Sequence, residues 1–285
     1  MMSLEYNMLI NIHSLEKGLT IGTKFFGEKK ALELLENVNI LIGVSDYEWI
    51  CSLAINTLDA YTKYLEDNKL NSNEIYGKLQ NNLPKLKQIL TYDSNIKGGS
   101  INYSPSSNID FRTYEKFALS RRSVRDFSKK IVAEDEIKEA VSIALLAPSA
   151  CNRQMINVYI ADTSTKKILI NKLMGISGFN TENTQFAVIT YDLAAFNFEG
   201  ERNQGYYNAG LFSMNFINAL HSKGIGSCLL QWGNNREDTQ LIRNLLGIPK
   251  SQNITSVLAY GYYRTDYVIP VSTRKAIDSV LHVRT

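Results

Sequence analysis

The chain has 285 residues, of which 44% are apolar, 10% aromatic and 21% charged, enough apolar material for a sizeable core and too much for a disordered chain. Its 31 basic and 28 acidic residues leave a formal net charge of +3, too weak a field to argue for nucleic acid or a membrane surface as partner. No apolar run is long enough to span a bilayer. The start, Met1 to Ile10, lacks the basic and apolar blocks of a secretory signal. Cys51, Cys151 and Cys228 lie far apart and form no CxxC pair, which fits a reducing, cytoplasmic setting. With His13, His221 and His282 equally scattered, no zinc site is expected. The length suits two domains or one large one.

The first hundred residues read as helical. Ala31, Leu32, Leu34 and Leu35 predict a helix over Glu28 to Glu36. Ser45 and Glu48 have capping-box spacing. Tyr47, Ile50, Ala54, Leu58, Tyr61 and Leu65 then recur at helical gaps and predict an amphipathic helix. From Asp93 to Asp110 the chain is rich in Ser, Asn and Gly, with Gly98-Gly99 and Pro105, and reads as a linker or a long surface segment.

From Phe111 the pattern is mixed. Helices are expected over Tyr114 to Leu119 and from Ala133, with Ile137, Val141, Ala144 and Leu145 inward and Pro148 forcing an end near Ala147. Asn157 to Ala161 and Phe186 to Tyr191 are strand candidates. A long helix is predicted over Asn203 to Lys223, with Tyr207, Leu211, Met214, Ile217 and His221 on one face and Gly224 as its stop. Strands are expected at Ser227 to Gln231 and Thr255 to Tyr262, with a helix between them ending at Gly247. The last segment, Val268 to Thr285, reads as an arm or edge strand.

Four stretches could carry chemistry. Ser120-Arg121-Arg122-Ser123-Val124-Arg125-Asp126-Phe127 packs three arginines and a serine after a short helix. Guanidinium groups bind phosphate bidentately, although charge alone favours a solvated basic turn. Ala147-Pro148-Ser149-Ala150-Cys151-Asn152-Arg153-Gln154 breaks a helix and offers amide groups to a flat polar ligand, or is an ordinary helix-to-strand turn. Gly224-Ile225-Gly226-Ser227-Cys228-Leu229-Leu230-Gln231-Trp232-Gly233 is not GxGxxG and does not support a Rossmann site. Pro270-Val271-Ser272-Thr273-Arg274-Lys275 is a basic pair near the C-terminus.

In this order the four stretches resemble the nitroreductase-like FMN-dependent flavoproteins, over roughly Tyr114 to Lys275. R-R-S-V-R-x-F, then A-P-S-x-x-N-x-Q, then the long helix, G-I-G-S-C and P-x-x-x-R-K carry the resemblance. It implies an α+β fold with a mixed central sheet flanked by helices. With the change of texture after the first hundred residues, the expected division is a helical extension over 1–95, a linker over 96–112 and an FMN-binding domain over 113–285. Arg121, Arg122 and Ser123 would then meet the FMN phosphate and ribityl chain, with Arg274 closing the phosphate site. Arg125 would lie near N1 and O2 of the ring, where positive charge favours the reduced flavin. Pro148, Ser149, Ala150 and Asn152 would contact the ring from the partner subunit. Backbone near Leu230, Gln231 and Trp232 would face N5.

The resemblance further implies a homodimer that passes hydride from NAD(P)H through FMN to a small-molecule acceptor. No catalytic side chain, metal, nucleic acid or membrane span is expected. Met155 and Ile156 depart from the Pro-aromatic run of many members, and Leu230-Gln231 from an acid and a glycine. Other flavin reactions stay open, and so does a non-catalytic FMN-binding or interaction role. His13-Ser14-Leu15-Glu16-Lys17-Gly18-Leu19 looks like a stretch in extensions of relatives associated with surface-polysaccharide synthesis, or is a helix with a glycine terminator. Cys151 reads as a small filler rather than a nucleophile, and Trp232 as a site wall or a core residue.

Overall fold

The computed structural model describes residues 3–21, 24–90, 95–104 and 108–284. Asp93 and Pro105 of the expected linker lie outside the described residues. Four helices form the N-terminal part: α1 (Leu4–Leu19), α2 (Glu28–Leu41), α3 (Glu48–Asp67) and α4 (Glu74–Ile89). The periodic face of α3 is inward as expected, with Ile50, Ala54, Leu58, Tyr61 and Leu65 all buried. The Ser45–Glu48 capping box does not form. Ser45–Tyr47 is a short 3-10 turn, and α3 starts at Glu48 without a side-chain cap. Helix α4, within the region expected to be helical, runs through Pro84, which removes one backbone donor. Burial of Ile75, Leu79, Leu83 and Leu86 holds it against α2 and α3 regardless.

Then come α5 (Phe111–Ser120), α6 (Glu134–Ala144), β1 (Ile156–Ile160), α7 (Thr163–Ile170) and β2 (Gln185–Asp192). The chain continues with α8 (Gln204–Ser222), β3 (Ile225–Gln231), α9 (Arg236–Leu246) and β4 (Gln252–Tyr262). The strands lie in the order β1-β2-β4-β3 and pair antiparallel throughout. The parallel component of the sheet is a bridge between Ser123 and Ser227 on the outer edge of β3. One apolar cluster fills the helical part and continues through α6, α8 and one face of the sheet. A second, around Leu169, Phe186, Ile242 and Val257, lies under α7 and α9 on the other face. The fold is α+β, with helices on both faces of the sheet.

Two helix faces differ from expectation. On α6 the inner positions are Ile137, Ala140 and Ala144, while Leu145 is exposed beyond the helix end. On α8 the buried stripe is Gly205, Asn208, Ala209, Phe212, Phe216 and Leu220. Tyr207 is 65% and Met214 47% exposed, so the stripe read from the sequence borders the core rather than filling it. Helix α8 carries apolar residues on two faces, and periodicity alone does not say which one meets the sheet. The segment after β4 is an extended arm with a 3-10 turn at Ile277–Ser279, solvent-exposed from Val271 to Arg284.

Candidate functional site

The basic run leaves α5 at Arg121, where the backbone becomes extended. Val124 is fully buried and its N–H donates to Ser227 O at 3.0 Å, locking the run along β3. Phe127 is buried as well and covers Gly261 so closely that a Cβ there would stand 2.7 Å from its own. These two apolar anchors bracket Arg125, which stays exposed with its guanidinium 5.8 Å from the Phe179 ring centre. Asp126 is tied by Arg264 and by Asn180 Nδ2 at 3.0 Å. Arg121, Arg122 and Ser123 are half-buried.

Several groups report the field of this cluster. Burial pushes the Cys228 thiol up, while Arg125, the Ser123 side chain and Arg121 work against that rise. His221, near the end of α8, meets Ser120 Oγ through Nε2 and Tyr263 OH through Nδ1, both at 2.7 Å. Burial first, and Arg121 second, hold His221 below its ordinary value. The cluster is therefore cationic, rich in donors and suited to an anionic group.

Strand β3 leads away from it. Because Ser227 turns its carbonyl outward to Val124, the alternation of an antiparallel ladder turns the backbone of Leu229 and Gln231 to the same open edge. Their side chains are exposed, whereas Leu230 is 6% exposed within the second core cluster. Of the expected ring-facing residues, Gln231 therefore meets the open edge and Leu230 does not. Leu229, which sequence reading passed over, joins it. Trp232 is half-buried, packs against the second cluster and donates Nε1–H to Thr239 Oγ1 at 3.1 Å.

The Pro148–Gln154 loop forms elsewhere in the chain. Its Ala150 N–H donates to Asn208 Oδ1 at 3.0 Å, and Asn208 is 2% exposed within α8. Cys151, Asn152 and Gln154 all take left-handed backbone, with φ of 52°, 52° and 50°, a region uncommon for residues other than glycine and asparagine. Pro148 and Asn152 are exposed, as is Cys151; Ser149 and Ala150 are half-buried. Helix α1 packs against this turn. Arg274 stands on the exposed arm, and its one hydrogen bond among the described residues is to Ser272 O. The single chain thus joins Arg121, Arg122, Ser123 and Arg125 to β3, but gathers neither the Pro148–Gln154 loop nor Arg274 to them by any hydrogen bond or ion pair among the described residues.

The sequence pattern of the nitroreductase family matches residues 118–199 and 193–262, together half of the chain. A protein of Archaeoglobus fulgidus named as an NADH dehydrogenase/NAD(P)H nitroreductase is 25% identical over 152 residues, 52% of this chain and 83% of that protein. A nitroreductase family protein from Streptococcus pneumoniae superposes with a TM-score of 0.53 at 18% identity, over 60% of this chain and 100% of its own. Nitroreductase A from Vibrio parahaemolyticus superposes with a TM-score of 0.52 at 21% identity, over 60% of this chain and 76% of its own. The fold and the family match define an oxidoreductase on an α+β scaffold. The chain belongs to the nitroreductase family, and the match begins at residue 118, so α1 to α4 lie outside it.

Proposed function

We propose that this protein is an FMN-dependent oxidoreductase that takes reducing equivalents from NAD(P)H and delivers them to a small-molecule acceptor, working as a homodimer. One observation carries the reading: the Arg121–Arg125 run is bridged to Ser227 at one end of β3, and the open edge of the same strand presents Leu229 and Gln231 further along. About four strand residues separate the two ends, roughly 13 Å. An elongated ligand with an anionic head and a flat polar ring suits that layout, and the donor set suits FMN.

FMN, when bound, supplies the two-electron chemistry. The residues of this chain do the rest. Arg121, Arg122 and Ser123 would hold the phosphate end with charge-assisted bonds. Arg125, kept exposed by its buried neighbours, would supply positive charge to N1 and O2 of the ring. Backbone at Leu229 and Gln231 would orient the ring edge. The second half of the site, the Pro148–Asn152 loop and Arg274, would come together with the first in a dimer. The exposed apolar residues of α5 (Phe111, Tyr114, Leu119), of α8 (Tyr207, Met214) and of the arm support that assembly. Division of the chain into a helical extension over 1–95, a linker over 96–112 and an FMN-binding domain over 113–285 is part of this reading.

The His13–Leu19 stretch has a packing account. Leu15 is fully buried, Glu16 accepts from Gly99 N at 3.2 Å, and Gly18 lies against the Phe26 ring. Association with polysaccharide synthesis rests on the sequence resemblance of that stretch alone. Purified protein tests the main reading. A yellow preparation that bleaches with NAD(P)H under anaerobic conditions supports it. A colourless protein that takes up no added FMN overturns it.

A further inference from the structure

Arg153 follows the turn that the proposed function places against the flavin ring, yet it is 2% exposed and heads the largest fully buried side chains. Burying a guanidinium demands partners for its donors, and it has them on three sides. Nε–H donates back to Ala150 O at 2.9 Å, Nη1 donates to Ala195 O, and Nη2 pairs with the Glu201 carboxylate. The Phe196 ring lies 5.3 Å from the guanidinium carbon. Glu201 also accepts from Asn197 N at 3.3 Å, and its carboxyl is held below the usual range, mainly by Arg153.

The backbone beside Arg153 is strained. Cys151, Asn152 and Gln154 flank it in left-handed conformation. Of the three, only Asn152 is of a residue type that visits this region at low cost; Cys151 and Gln154 are not. Four loop amides are nonetheless satisfied: Ala150 N by Asn208, Asn152 N by Ser149 O, Arg153 N by Ala150 O and Gln154 N by Ser149 Oγ. The other end of the clasp, Ala195, adjoins Ala194, whose carbonyl accepts from Ser3 N at 3.0 Å, the N-cap of α1. Helix α1 itself packs on the Ala150–Asn152 turn.

We infer that Arg153 is a positioning residue that clasps the Pro148–Gln154 loop in its strained form and joins it to the 194–201 corner on which α1 sits, so that docking of α1 and the shape of the loop are set together. The meaning of this for flavin chemistry rests on the proposed function. The clasp itself does not.

Hydrogen exchange on the full-length chain tests it without flavin. In Arg153→Lys the 149–155 segment and α1 should both exchange about tenfold faster, while β4 and α3 keep their protection. Cys151→Gly, which relaxes one left-handed position, should restore much of the loop protection in the Arg153→Lys background. Glu201→Gln serves if the lysine variant does not fold; it keeps an acceptor and weakens the clasp. An unaltered loop, or faster exchange spread evenly through the chain, would overturn the proposal. In the flavin-loaded protein, the same variants should shift the visible flavin bands. If the wild type takes up no FMN, the functional reading fails while the exchange test still decides the clasp.

Discussion

Ser123 is bridged in parallel to Ser227, with Val124 N–H donating to Ser227 O at 3.0 Å. This one contact sets a run of arginines against the edge of β3 and, through strand alternation, decides that Leu229 and Gln231 rather than Leu230 face the open edge. Arg153 ties the Pro148–Gln154 loop in place separately, on a different wall.

The cationic run predicts FMN affinity. A charge-assisted bond is worth about 1.5–3 kcal/mol, so loss of one arginine should weaken binding about tenfold or more. FMN titration of Arg121→Ala should show that loss directly. Arg274→Ala should show it only if the arm closes the site in the dimer. Wild-type affinity in Arg274→Ala would remove that residue from the site. FAD should bind less well than FMN, because it lacks a terminal phosphate monoester.

Assembly is the second expectation. Sedimentation at micromolar concentration should show dimer only, and Met214→Glu, on the 47%-exposed position of α8, should shift it toward monomer with loss of bound FMN. A monomer that keeps its flavin would sink the shared site.

Removal of the N-terminal part tests its role. Gly98 and Gly99 nest so tightly on α3 that a Cβ at Gly98 would lie 2.5 Å from Thr57 Oγ1, so the expected linker is pinned there rather than loose. With α1 against the Ala150–Asn152 turn, we expect a chain beginning at Gly99 to stay dimeric and yellow and to react faster with bulky artificial acceptors. Equal rates with small and bulky acceptors would reject a covering role. Loss of soluble dimer would point to a purely structural one.

Docking of α1 should depend on pH. Burial first, and the neighbouring Asp192 second, raise the Glu5 carboxyl above its ordinary 4.5. A group raised in the folded state contributes stability that is present below 4.5 and lost as pH climbs through the raised value. Glu5→Gln should flatten that loss in thermal unfolding followed against pH. Glu201, held low chiefly by its hydrogen bond from Arg153, acts in the opposite sense: its contribution holds above 4.5 and fades as pH falls through the lowered value. An unchanged profile in Glu5→Gln would show that this carboxyl does not report docking.

Gly18 offers a packing test. A Cβ there would stand 1.9 Å from Phe26 Cε2, and Phe26 is itself held edge-on to Tyr61 and Tyr64. Overpacking costs about 1–3 kcal/mol, whereas alanine in a helix returns up to about 1 kcal/mol. The first effect wins, and Gly18→Ala should lower stability by about 1–2 kcal/mol in denaturant unfolding. A more stable variant would show that Phe26 moves freely.

What the sequence determined by itself lay in local chemistry. The α3 face from Ile50 to Leu65, the strands at Phe186–Tyr191 and Thr255–Tyr262, and the stop at Gly247, with φ of 66°, follow from periodicity and backbone preference, which act over a few residues. The family was legible too, because its basic run and its amide loop are contiguous motifs. Tertiary structure alone decided which of two apolar faces of α8 meets the sheet, where Phe212 and Phe216 are buried and Tyr207 and Met214 are not. It alone kept α4 helical through Pro84, turned Leu229 out and Leu230 in, and gave Arg153 its partners 42 and 48 residues away. Those outcomes depend on long-range contacts whose energies exist only once distant segments have met, and no local pattern encodes them.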